Sequence, residues 1–577
     1  MNYQVKPLLR VCVAAVLGAF AFTAAGAEAP AATTHKHYAE SPGIDKPGPQ
    51  GELAPRLQRL GEHVFPVSTK HAEAQKFINQ GLNLAYAFNH AESRRAFKEA
   101  ARLDPELAMA YWGQALVLGP NINALMEPND EPHAFENISK AQALAAKATP
   151  REQALIAALA KRYSGSADHR KANDQAYAAA MREVHQQFPD DLDIAALYIE
   201  SVMDLRPWGY WMPDGQPHEG TAEIAALTED VLRRDARHPG ALHLQIHLLE
   251  STPTPERAER SADTLLHLMP GAGHMVHMPS HIFQRVGRYA DAIESNRLAI
   301  IADEDYITQC RAQGLYAMGY YPHNIHFMWF AAMFDGQQAL AEEAGRKVAS
   351  KIDDATLSAL PMLAAFRVVP YWTMLRFGLW QDALKEPAPP ASSAFLTGAW
   401  HYLRGQAFAA TGKLTEAKAE LTALQGVMKD PSLDKNLFSQ NSARSILQIS
   451  VPSLTAGIAS AEGRHDEAIA QLEKAVRLED LLVYTEPSEW AYPPRHALGA
   501  ALLAAGRPNE AESVYWLDLR KHKNNGWALS GLLQALRAQK KDAMAVTVEA
   551  RLKAAWARAS VKPEVAVFWP GLAVKKG

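Results

Sequence analysis

The chain has 577 residues, 48% of them hydrophobic and 21% charged, which is enough apolar material for several ordinary domains. Its formal charge of −4 includes no basic tract, which argues against a nucleic-acid-binding role. With Cys12 and Cys310 as its 2 cysteines, a disulfide-stapled scaffold is excluded.

In chain order, Lys6 and Arg10 precede an apolar run from Val11 to Thr23 and the small residues Ala25-Gly26-Ala27. This is the pattern of a cleavable signal peptide over residues 1–27. Its apolar run is shorter than the roughly 20 residues a transmembrane helix needs. No small-residue lipidation motif surrounds Cys12. The expected destination is the periplasm of a Gram-negative bacterium, or the exterior after secretion. Removal of Lys6 and Arg10 leaves a mature chain of charge about −6 with Cys310 alone, so no internal disulfide forms. No later stretch approaches 18 unbroken apolar residues, so no transmembrane segment is expected after cleavage. Residues 28–60 read as a disordered lead-in, rich in Pro, Gly, Ala and Thr between Pro30 and Pro55.

Beyond residue 60, Ala and Leu dominate, strand-type alternation is rare, and turn signals recur about every 12 to 18 residues, as in helical hairpins. One element repeats: GRYADA from Gly287, GKLTEA from Gly412, GRHDEA from Gly463 and GRPNEA from Gly506. A glycine ends one helix, a polar turn follows, and a small Ala opens the contact of the second helix with the first. A further copy has Gly81 in its first helix and Phe97, Ala100, Leu103 and Asp104-Pro105 in its second, with Ser93 at the small contact position.

These residues resemble the tetratricopeptide repeat, a 34-residue helix–turn–helix unit. Repeats are expected to start near Ala74, Ala108, Pro239, Gly273, Pro322, Ala364, Gly398, Ile449, Tyr492 and Asn524. The resemblance implies an all-α helical-hairpin superhelix, an α-solenoid with a concave groove. The expected organisation is N-terminal repeats over 61–140, an irregular helical region over 141–235, His-rich repeats over 236–355, C-terminal repeats over 356–565 and a tail over 566–577. AFNHAESRRAF from Ala87, AMAYWGQALVLGPNIN from Ala108, GAGHMVHMPSHIF from Gly271 and GYYPHNIHF from Gly319 are also similar to a group of exported bacterial repeat proteins. That likeness implies no activity.

In the repeat family the second, fifth, ninth, twelfth and thirteenth residues face the groove. Counted from Pro239 these include His243, His247 and Glu250; from Gly273, His274, His277 and His281; from Pro322, His323 and His326. Of the histidines between residues 243 and 326, His267 alone falls elsewhere. Residues at i and i+4 share a helix face about 5–6 Å apart, so pairs on adjacent helices can converge on one ion. Imidazole and carboxylate donors without thiolate suit a divalent transition metal (Zn, Fe, Cu or Ni). A groove gripping a peptide, protein or small-molecule ligand through its histidines, without metal, is the alternative.

Further ligand-binding candidates are Arg285, facing an anionic group; His496, Glu486 and Arg495 as a patch opposing the cluster; and Trp208 and Tyr210 in the excursion from Asp204 to Gly215. A purely structural cap, with Arg495 paired to Glu486, is equally compatible with the second set. Asn89-His90, Asn121 and Asn123 suit hairpin turns. No metalloprotease, nucleophile-elbow, phosphate-loop or dinucleotide motif is present, so catalysis is not assigned, although metal-dependent hydrolytic or redox chemistry fits the donor set.

Overall fold

The computed structural model describes residues 47–48, 51–212, 214–310, 316–438, 440–560 and 566–572. The expected signal peptide and most of the lead-in before residue 51 lie outside the described residues. Over these residues the protein is an all-α solenoid of tetratricopeptide-type hairpins, and its two strands, Leu437–Phe438 and Asn441–Ser442, form one small antiparallel pair.

Helix follows helix as antiparallel pairs. Ala72–Tyr86 packs on His90–Leu103, and Ala108–Leu116 on Glu131–Leu144. The region that matches the repeat loosely holds two further pairs, Pro150–Leu159 with Arg170–Gln187 and Leu192–Met203 with Thr221–Arg234. Next come Pro239–Leu249 with Glu259–Leu265, Gly273–His277 and Pro279–Val286 with Tyr289–Cys310, and Tyr321–Phe334 with Gln338–Ala349. The C-terminal part continues the alternation from Val369–Phe377 to the last pair, Gly526–Ala538 with Asp542–Ala555.

Small residues set these contacts. A Cβ on Gly81 or Gly113 would lie 2.7 or 2.4 Å from the Phe97 ring, so two first helices close around one second-helix aromatic. The Ser93 hydroxyl, where Ala is usual, donates to the Gly81 carbonyl at 2.6 Å. Three insertions interrupt the regular hairpins, at residues 117–130, 204–220 and 428–449, and a fourth precedes Pro494–Ala504.

The solenoid closes on itself. Tyr289 donates its hydroxyl to the Lys523 carbonyl at 3.1 Å, Trp527 donates Nε1–H to the Met333 carbonyl at 2.9 Å, and Arg558 pairs with Asp335 at 2.9 Å. The last hairpin therefore packs against helices some 200 residues earlier. Residues 51–60, expected to be disordered, are instead docked. The amide of Leu53 donates to Glu99, that of Leu57 to Gln80, and Arg59 offers its carbonyl to the Gly271 amide at 2.8 Å. Composition does not register these contacts, because the partners that hold this segment lie on helices elsewhere in the chain.

The turn glycines of the repeated element all adopt left-handed φ: 82° at Gly287, 77° at Gly412, 75° at Gly463 and 72° at Gly506. Around Gly412 a Cβ meets open space, whereas at Gly287 it would lie 2.3 Å from the Lys523 carbonyl oxygen. Gly412→Ala should therefore cost about 1–2 kcal/mol from backbone strain alone. Gly287→Ala should cost more, because it also pries open the closure. Thermal melts of the two variants check this, and equal destabilisation would contradict the closing role of Gly287.

Candidate metal centre

Pro239–Leu249 is buried on every face, which places His243 and His247 one turn apart in the interior. The following first helix is broken at Pro279, which has no N–H to continue the ladder. Met278 nevertheless keeps helical angles (φ −49°, ψ −38°) and accepts from the His281 amide at 3.1 Å, so His277 and His281 stay on one face. Gly273 starts this helix because a Cβ there would fall 1.8 Å from Asp303 Oδ1. Asp303 is held by Tyr316 at 2.8 Å and Asn324 at 2.6 Å, and burial pushes it up to about 7. One π-helical turn, Tyr316–Tyr320, then feeds Tyr321–Phe334, which carries His323.

The imidazoles meet in pairs. His243 Nε2 and His247 Nε2 lie 3.0 Å apart, and His277 Nε2 and His281 Nε2 lie 2.8 Å apart. Each opposite nitrogen is committed outward. His243 Nδ1 faces the Tyr86 carbonyl at 2.6 Å, an acceptor only, so it carries the proton. His277 Nδ1 faces Asn296 Oδ1 at 2.7 Å, while the Asn296 amide nitrogen donates to the Ala292 carbonyl. His247 Nδ1 and His281 Nδ1 reach the two oxygens of Glu250 at 2.8 and 2.5 Å. Burial alone would raise the Glu250 carboxyl, but His281 and His247 beside it hold it well below the usual range. Glu250 is thus placed to accept from both Nδ1 atoms, and neutral imidazoles protonated at Nδ1 would turn their Nε2 lone pairs toward each other.

His274 lies among them, 1% exposed, with neither ring nitrogen hydrogen-bonded. Its ring centroid is 5.0 Å from that of His243 and 5.8 Å from that of His277. His323 stands 4.9 Å from the His277 ring. Glu486, distant in sequence, abuts His281 Nδ1. Burial, together with the Glu250 charge, pushes its carboxyl well above the usual range.

Above the cluster lies a cavity of about 340 Å³ with His247, His274, His281 and His323 in its floor. Its walls are Trp208, Tyr320, Phe366, Phe438 and Tyr484, with Asn123, Gln440, Glu486 and Glu489 as polar groups. Trp208 holds a left-handed φ of 64°, uncommon for a bulky residue, and stands edge-on to His247 at 5.2 Å. Burial pushes Glu489 up to about 7. Neither Lys nor Arg lines the cavity among the described residues.

Of the residues singled out in sequence, His243, His247, Glu250, His274, His277, His281 and His323 come together, joined by Glu486 and Trp208. His326 takes part only in the wall, stacked on Trp329 at 5.2 Å. His267 is exposed. Arg285 does not face the cavity as expected. It donates to the Thr252 carbonyl at 2.9 Å and its guanidinium lies 5.0 Å over the Tyr484 ring, because the loop carrying Tyr484 closes between it and the site. Tyr210 is core, its ring 3% exposed. His496 belongs to a separate buried network: Arg376 donates to its Nδ1 at 3.0 Å and its Nε2 meets Asp518 at 2.9 Å. Arg495 pairs with Glu479 at 3.1 Å and Asp480 at 2.6 Å, not with Glu486. The intervening residues 481–493 carry Glu486 away to the cavity.

Sequence reasoning missed Asn123, Tyr320, Phe366, Phe438, Gln440, Tyr484 and Glu489, most of which sit in insertions outside the repeat register. A second cluster, His63, Asp193 and His238, was also missed. There His238 Nδ1 accepts from the Ala241 amide at 3.2 Å, so its proton sits on Nε2, facing Asp193. Tyr86 also donates to Asp193 at 2.7 Å and His63 Nε2 lies 2.8 Å from it, so that cluster is centred on one carboxylate.

No protein-family profile matches the sequence, and no curated protein matches it. Among solved structures, the human IFIT1 dimer with m7Gppp-AAAA is similar at 12% identity and a TM-score of 0.31, over 85% of this chain and 91% of that one. The APC/C hetero-tetramer Cut9–Hcn1 gives 12% and 0.29, over 85% and 76% of the two chains. The TPR domain of P58(IPK) gives 13% and 0.21, over 81% and 99%. Likeness at this level carries no argument about ligand or chemistry.

Burial, with the neighbouring imidazoles adding to it, keeps His243, His274 and His277 well below their ordinary value of 6.5, and burial alone takes His326 to about 3. The unfolded chain thus binds protons on these residues below pH 6.5 while the folded chain does not. Stability of the metal-free protein is then complete above that pH and lost below it, by about 1.4 kcal/mol per pH unit for each histidine. Thermal melts of chelator-treated protein from about pH 7.5 to about pH 5.5 should show a steep fall, lessened in His326→Phe; a flat profile would refute the assignment.

Proposed function

We propose that this chain is an exported metalloprotein: its solenoid holds a transition-metal centre on buried histidine nitrogens and presents it to a small organic ligand in the cavity. The observation that carries the reading is the pair of facing Nε2 contacts, at 3.0 and 2.8 Å, whose Nδ1 atoms all serve outer acceptors. A buried polar atom without a partner costs about 1–3 kcal/mol. Neutral imidazoles whose Nε2 lone pairs turn toward each other are relieved by a cation between them. Outer acceptors on Nδ1 are also what fixes tautomer and orientation in histidine metal sites. Zinc, copper and iron all suit these donors.

The cavity supports a small ligand over an extended peptide, since the insertions carrying Trp208, Phe438 and Tyr484 wall the site in. Its aromatic lining and lack of cationic side chains favour a neutral or cationic molecule with a ring. Export rests on the charged, then apolar, N-terminal stretch. Open coordination positions facing the cavity would allow metal-dependent catalysis, with Glu486 as the carboxyl beside His281.

Metal analysis of untagged protein tests the central claim. Wild type should carry stoichiometric zinc, copper or iron, and the His247→Ala, His281→Ala double variant should lose most of it. Wild type without metal, and with an unchanged Tm on adding each of the three ions, would end the reading.

A further inference from the structure

Resting on that metal reading, we infer that the centre is dinuclear: one ion lies between His243, His247 and His274, and a second between His277, His281 and His323. The ligating nitrogens of each triad fall within 4.8 Å of one another, and the two triads share no member. An ion with bonds of about 2.0–2.1 Å keeps its donors within about 4.2 Å of each other, so each triad closes on one ion by a small side-chain adjustment. The six imidazoles divide into two such groups and do not gather round one point.

The division follows from the repeat. Counted from Pro239, Gly273 and Pro322, each triad takes the fifth and ninth residues of one repeat and the second residue of the next. The 34-residue step from His243 and His247 to His277 and His281 therefore copies the pair, and the third donor recurs at the same repeat position 49 residues on, His274 and then His323. The series also ends for a visible reason. His326 is the fifth residue of the third repeat, but its ninth is Phe330 and the second residue of the following repeat is Ala365. No third triad forms, and His326 stacks on Trp329 instead.

Two observations beyond spacing point the same way. His274, almost fully buried with both nitrogens unpartnered, stands where the first triad needs its third donor. Glu250 accepts from His247 of one triad and His281 of the other, so a single carboxylate orients one ligand of each ion. Its place at the end of Pro239–Leu249 sets it between the two first helices.

The test uses untagged, chelator-stripped full-length protein titrated with Cu(II), with metal retained after desalting and EPR spectra recorded along the titration. Two equivalents are expected in wild type. One equivalent each is expected in His243→Gln, His247→Gln and in His277→Gln, His281→Gln, with helical circular dichroism retained. Spin–spin coupling between copper ions should emerge only as the second equivalent binds. Retention of a single equivalent by wild type overturns the dinuclear inference and leaves the metal reading standing. Retention of none overturns both. Two equivalents persisting in either double variant place the ions elsewhere and overturn the inference. Should a double variant misfold, wild-type EPR decides alone: two equivalents without coupling overturn it.

Discussion

A neutral imidazole that has given its Nδ1 proton to an acceptor presents a bare lone pair at Nε2, and a dry interior leaves that lone pair little to face except a cation. Much of the middle of this molecule is arranged around that constraint. The Tyr86 carbonyl, Asn296 and Glu250 take the four Nδ1 protons and aim the four Nε2 atoms inward. Behind them, Asp303 accepts from Tyr316 and Asn324, and the Tyr316 hydroxyl accepts from the His274 amide, so the histidine-bearing turn rests on a hydrogen-bond network. Phe88 on one side and Phe327 on the other pack their rings against His243 and His277.

The solenoid supplies the rest of the geometry. Stacked hairpins repeat a side-chain position at a fixed step, so a histidine pair placed once is placed again beside itself. What an open solenoid would present as a groove is here a cavity, because segments outside the hairpins cover it. Trp208 comes from the insertion after Leu192–Met203, Phe438 from the strand pair, and Tyr484 and Glu486 from the stretch before Pro494–Ala504. The closure of the last hairpin onto helices near Tyr289 and Met333 sets the C-terminal half where that stretch can reach His281.

Buried ionic networks elsewhere lend the same rigidity without the same chemistry. Arg376, His496, Asp518 and Asn525 form one network, and His63, Tyr86 and His238 gather on Asp193 in another. What distinguishes the central cluster is not the number of histidines but where their protons go. Around His496, Nδ1 accepts from Arg376 and Nε2 faces Asp518; in the centre the Nδ1 atoms of each pair face outer acceptors and the Nε2 atoms face each other.

Much of this was legible in the chain itself. The turn glycines at 287, 412, 463 and 506, the small residue at 93 and the 34-residue step are local requirements of packed hairpins, and they announce the solenoid directly. The same register put His243, His247, Glu250, His274, His277, His281 and His323 on one inner surface, because a helix face is a matter of spacing. It also placed Arg285 and His496 there, wrongly, since register says which way a residue points and not what stands in front of it. Glu486, Asn123, Tyr320, Phe438 and Tyr484 carry no periodic signal: they reach the cavity by loop paths that depend on contacts between distant segments. Spacing along one helix therefore determined the donors and their common face. The tertiary structure alone decided which donors are shared, which protons are withdrawn and what encloses them, because each of those depends on atoms brought together across hundreds of residues.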